Sequence, residues 1–108
     1  MSKEKEKKLN TEMKKIVSEF IERESNRTSL ITVTRCEISK DLEQLKVYFT
    51  VFPESEERKV LSFLERKKWE ARDYLKKRIR TRVLPKLHFS IDEGEKNRQK
   101  IDQLLEEV

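Results

Sequence analysis

Residues 66–85 read RKKWEARDYLKKRIRTRVLP. Between Glu65 and Lys86 stand ten Lys/Arg and three Asp/Glu, a local charge of +7 in a chain whose formal net charge is +5. The surplus is therefore concentrated. The chemistry it offers is electrostatic: guanidinium and ammonium groups neutralise a polyanion and release its counterions. The only tryptophan, Trp69, lies inside the run, and an indole can stack on a nucleobase. On a continuous helix, Trp69, Arg72, Lys76 and Arg80 share one stripe. Leu64, Ala71, Leu75 and Ile79 share another, turned away from it. These residues point to RNA. Arg66, Lys67, Lys68, Arg72, Lys76, Lys77, Arg80 and Arg82 are the phosphate-neutralising candidates, with Trp69 among them as a possible base platform. Two other readings fit the same pattern. In one, the cations are a solvated face and Trp69 packs on a neighbouring helix, eased by a break near Lys67. In the other, the basic surface meets an acidic protein partner.

Other chemistry finds few residues to work with. His88 is the only histidine, and its neighbours Leu87 and Phe89 are expected to point inward. That leaves His88 on the other face of its strand as an exposed or structural residue, without an acid–base set around it. No Cys/His grouping has zinc spacing. Gly94 is the only glycine, which excludes the glycine-rich phosphate loops. Acid pairs such as Glu56–Glu57 and Glu106–Glu107 read as solvated faces. A nuclease or RNA-modifying reading thus lacks its catalytic constellation, and no catalytic residue, metal or cofactor is expected. Cys36 is the single cysteine, so an internal disulfide is impossible and a reducing, cytoplasmic setting is the natural expectation. No stretch approaches the ~18 apolar residues of a membrane span. The lysine-rich MSKEKEKKLN start has no apolar run of the secretory kind.

The chain has 108 residues, 34% hydrophobic and 44% charged, which suits one economical core within a single domain, 1–108, folded over about 9–105. Such a composition is compatible with disorder, but its apolar residues recur with regular periods. Leu9, Met13, Ile16, Val17, Phe20 and Ile21 follow a helical pattern. LITVTRCEIS (30–39) is β-branched and changes phase between Ile31/Val33 and Cys36/Ile38, so a bulge near Thr34 or Arg35 is expected. LKVYFTV (45–51) alternates cleanly. Pro53 ends it, and Ser55 is placed to cap a helical region that carries Val60, Leu61, Leu64, Ala71, Leu75 and Ile79. Pro85 closes that region. KLHFSID (86–92) reads as a third strand, and Ile101, Leu104, Leu105 and Val108 mark a C-terminal amphipathic helix. The first two strands should form an antiparallel hairpin. The second and third, joined by a helical crossover, should be parallel. The class is α+β: a three-stranded mixed sheet covered on one face by helices.

Two stretches carry a resemblance. ISKDLEQLKVYFTVF (38–52) resembles the S-x-D-L-x-x-A-x-V-Y segment of the ribosome-binding factor A family. RDYLKKRIRTRVLPKLHFSID (72–92) resembles its R-x-x-L stretch followed by R-x-[VI]-x-P-x-L-x-F-x-x-D, with Arg72, Arg82, Pro85, Leu87, Phe89 and Asp92 all in place. With the leading helix the resemblance covers about residues 9–92. It implies a type II K-homology-like fold, helix–strand–strand–helix–helix–strand, without a GXXG loop. It further implies a monomeric ribosome biogenesis factor that binds the free small ribosomal subunit and its precursor rRNA. Such a factor assists late maturation, including rRNA processing at the 5′ end, supports growth in the cold, and acts without catalysis or cofactor. Three departures stand out. The family's alanine-x-glycine kink between helices falls on Lys67-Lys68-Trp69. The alanine of the first motif is Leu45, and a glycine often found after the third strand is Arg98. Glycine at a kink lets RNA approach the backbone closely. Tryptophan does not, so contact there falls to side chains.

Overall fold

The computed structural model describes residues 2–81 and 83–106. Its first helix, α1 (Lys3–Glu24), begins where Ser2 accepts a hydrogen bond from the Lys5 amide, and it buries Met13, Ile16, Val17, Phe20 and Ile21. These lie three and four residues apart, so they form one continuous stripe. The sheet follows as β1 (Leu30–Ile38), β2 (Gln44–Phe52) and β3 (Lys86–Ile91), in the spatial order β1-β2-β3. β1 and β2 are antiparallel, and β2 and β3 are parallel.

The register explains the β1 sequence. Pairing shifts between Val33 and Arg35, so one extra residue lets both apolar phases reach the core. Three rows then face inward: Val33–Phe49–Ile91, Cys36–Val47–Phe89 and Ile38–Leu45–Leu87. Leu45 is fully buried and finds its space in the last of these. The opposite face carries Glu37–Lys46–His88 in one row and Arg35–Tyr48–Ser90 in the next.

The β1–β2 turn is held by side chains. Ser39 Oγ donates to Asp41 at 2.6 Å and accepts from the Gln44 amide at 3.0 Å, while Asp41 accepts from the Glu43 amide. Leu42 takes a left-handed conformation, φ 64°, and packs against the core. The S-x-D-L motif is thus a turn-forming device.

The crossover from β2 to β3 holds a 3₁₀ turn (Glu54–Glu56), α2 (Glu57–Arg66) and α3 (Lys68–Arg78). Pro53 precedes the turn and no side chain caps it or α2, so Ser55 does not act as the expected cap. α2 buries Val60 and Leu64; α3 buries Ala71 and Leu75. Together with α1 they cover the inward face of the sheet in one cluster.

α4 (Glu93–Glu106) starts at Asp92, whose carboxylate accepts from the Glu95 amide at 3.1 Å. The other Asp92 oxygen receives the Thr34 hydroxyl at 2.5 Å and lies 3.5 Å from Arg35. One buried carboxylate therefore joins the β1 bulge, the end of β3 and the start of α4. Lys96 adds a second anchor through Glu54 at 2.8 Å and Glu57 at 3.0 Å. Farther on, Ile101, Leu104 and Leu105 are exposed. The C-terminal helix is amphipathic as expected, but its apolar stripe is not buried in this chain. Val108, expected on that stripe, lies outside the described residues.

Candidate nucleic-acid interface

The basic run is divided by a break at Lys67, where φ is −96° and ψ is 4°. Its amide donates to the Phe63 and Leu64 carbonyls, which closes α2. Its own carbonyl accepts from the Ala71 amide at 2.9 Å, so α3 starts at once. A negative φ is open to any L-residue, which is why the kink forms without the family's glycine.

α3 arranges the cations according to helical spacing. Trp69, Arg72 and Lys76 share a stripe, and Trp69 is 76% exposed. That exposure decides the question the sequence left open: the indole is not packed into a helix interface. Its visible neighbour is Arg72, whose guanidinium carbon lies 5.5 Å from the ring centroid.

Arg72 itself is only half-exposed. Its Nε donates to the Pro85 carbonyl at 2.9 Å and its Nη2 to the Leu84 carbonyl at 2.8 Å. A planar fork with fixed donors matches two consecutive carbonyls. Arg72 therefore pins the chain entering β3 to α3, and its charge stays in place as a fixed local cation. Pro85, which it holds, is fully buried.

The remaining candidates fall into distinct environments. Lys67 pairs with Glu70 at 3.2 Å, Lys68 with Glu65 at 2.7 Å and Lys77 with Asp73 at 3.2 Å, all within a helical turn or across the kink. Lys76 and Arg80 are exposed, and neither has a carboxylate partner among the described residues. α3 ends at Arg78 and Ile79 is extended, so Arg80 lies beyond the helix and not on its stripe. Arg66 is set apart: it lines a cleft of about 750 Å³ that also receives Arg58 and Lys59. Arg82 lies outside the described residues.

Two contributors were not among the sequence candidates. Lys86 and His88 on β3 meet Lys68, Trp69 and Arg72 around a cleft of about 230 Å³, floored by Leu87. His88 is on the exposed face of its strand, as the alternation implied, and its Nε2 is hydrogen-bonded to the Gln44 side chain. The signal for Lys86 and His88 was present in the outward positions of KLHFSID. What sequence could not supply was the docking of β3 beside α3, where the Arg72 clamp holds the chain that enters the strand.

Among the described residues no three His, Cys, Asp or Glu side chains gather in a metal-holding cluster, and no helix is long and apolar enough to cross a membrane. Fold and charge thus define a small α+β protein with a cationic helical rim mounted on a mixed sheet.

The chain belongs to the ribosome-binding factor A family, whose sequence model matches residues 5–105. Ribosome-binding factor A of Fervidobacterium nodosum is 36% identical over 94% of this chain and 86% of that protein. The crystal structure of ribosome-binding factor A from Thermus thermophilus superposes with a TM-score of 0.74 at 31% identity, covering 80% of this chain and 94% of that one. A Thermus thermophilus homology model, fitted into a cryo-EM map of a 30S–ribosome-binding factor A complex, gives 0.66 at 32% identity, covering 75% and 88%.

Proposed function

We propose that this protein binds the small ribosomal subunit and its precursor rRNA in the cytoplasm, as a monomer. It assists late maturation of the subunit, including processing at the rRNA 5′ end, by binding and without catalysis. The observation that carries this reading is the unneutralised charge at one end of α3. Lys76 and Arg80 are exposed and carboxylate-free among the described residues. Lys77, next to them, pairs only with the exposed Asp73, and at the start of α3 Lys67 and Lys68 pair only with the exposed Glu70 and, across the kink, Glu65. Exposed pairs of that kind contribute ~0–1 kcal/mol, so a phosphate can take the place of the carboxylate. Family membership supplies the partner, since the Thermus homologue is placed in a 30S complex.

Sedimentation of cell extract tests the reading. The protein should travel with free small subunits and be absent from polysomes; co-sedimentation with polysomes would overturn it. Affinity for purified small-subunit rRNA should fall with salt, with a log–log slope of about −3 to −6. Binding that is indifferent to salt and survives competition by bulk RNA would instead identify an acidic protein as the partner.

A further inference from the structure

We propose that the cleft between the start of α3 and β3 takes one unpaired nucleotide of RNA, with Trp69 as its stacking platform. The inference rests on the RNA-binding reading above and adds the state of the RNA and the residue that reads it. Trp69 is the second residue of α3 and leaves three-quarters of its surface to water. It does not swing free of cationic neighbours: Arg72 lies 5.5 Å from its centroid. Arg72 cannot follow the solvent, because two carbonyls hold it. The indole therefore stands next to a fixed guanidinium, a pre-organised arrangement whose ordering cost is met when the chain folds.

Around this platform the cleft of about 230 Å³ is lined by Lys68 and Arg72 on the helix side and Lys86, Leu87 and His88 on the strand side. The composition is that of a single-strand site: an aromatic face for a base and ammonium groups at the rim for its flanking phosphates. A base inside a duplex is stacked on both faces and has none to offer the indole, so the ligand we infer is unpaired. The break at Lys67 contributes by starting a new helix there, which sets Trp69 at the corner between α2 and α3.

Trp69 is the only tryptophan, so its fluorescence reports on the site without labelling. The probe is an RNA strand of about 12 nucleotides, alone and annealed to its complement, with binding followed independently by anisotropy of a dye on the RNA. The single strand should quench the indole as it saturates the protein, and the duplex should leave emission unchanged. Trp69→Ala should weaken single-strand binding by on the order of 5- to 150-fold, and Trp69→Phe should recover most of it. An exposed indole does not support the core, so both variants should melt with the parent. Saturated RNA binding with unchanged emission, equal quenching by the duplex, or full affinity in Trp69→Ala overturns the stacking inference. Those outcomes leave small-subunit binding standing. Failure of the parent protein to bind small subunits removes both.

Discussion

Arg72→Ala separates a structural cation from a phosphate ligand. The substitution removes two hydrogen bonds from a charged donor, to the carbonyls of Leu84 and Pro85 at 2.8 and 2.9 Å. A bond of this kind contributes ~1.5–3 kcal/mol when both groups are shielded from water. Arg72 is half-exposed, so the freed carbonyls regain some solvation and the pair together should cost about 2–3 kcal/mol. For a chain of this length each kcal/mol moves the melting temperature by roughly 4 °C, so the expected loss is roughly 10 °C. Arg72→Lys should recover only part, because one ammonium cannot reproduce the fork. Thermal melts by circular dichroism give the first number, and the salt dependence of rRNA affinity gives the second. The slope should change by less than one. A variant that melts within about 2 °C of the parent while its slope flattens by about one would show that Arg72 serves phosphate and that the clamp is incidental.

Three further outcomes follow from the same geometry. Lys76→Glu combined with Arg80→Glu should flatten the salt slope by about two and lower rRNA affinity, with an unchanged melt, since neither side chain has a partner to lose among the described residues. Asp92→Asn should destabilise by about 1–3 kcal/mol. The Thr34 hydroxyl, the Glu95 amide and Arg35 hold the Asp92 pKa below the ordinary carboxylate value, against the opposing effect of burial. Its contribution is therefore complete above the unfolded pKa of about 3.9 and disappears as pH falls through the lower folded value. Melts of parent and variant should differ most above about pH 5 and converge in stronger acid; a gap that widens in acid would contradict the assignment. Burial pushes the Cys36 thiol up to about 12, with Lys14 opposing slightly. Native protein at pH 8 should therefore resist alkylation until it unfolds, as mass spectrometry can check; rapid native labelling would refute this.

The elements were readable where local periodicity and core burial agree. Ile31/Val33 and Cys36/Ile38 sit out of phase in the chain, and a single extra residue is the only economical way to turn both inward, so the bulge was legible. So was the parallel pairing of β2 with β3, since a helical crossover enforces it. The end of α3 was not. Ile79 continues the apolar spacing of Leu75, but it is buried as the first extended residue after the helix, and burial alone does not distinguish the two. Ser55 looked like a cap because of its residue type, yet Pro53 starts a 3₁₀ turn that takes its place. The site was legible as charge and illegible as geometry. Nothing in the spacing of Arg72 separates a side chain that reaches solvent from one that reaches two carbonyls thirteen and twelve residues ahead. The same contact holds the chain just before Lys86, and the β2–β3 pairing that places Lys86 and His88 beside Trp69 is equally invisible in the spacing of the basic run.

The clamp has a kinetic consequence. The stretch leaving α3 is tied at Ile79, whose amide bonds to Leu75 at 3.0 Å, and again at Pro85 through Arg72. Arg80 thus directly follows one anchored residue, and the chain is held again at Pro85. A cation next to a fixed residue surrenders little freedom when it lands on its target. Cutting the anchor should therefore show up mainly as faster departure from the ribosomal particle, with arrival, governed by long-range attraction, nearly as quick as before.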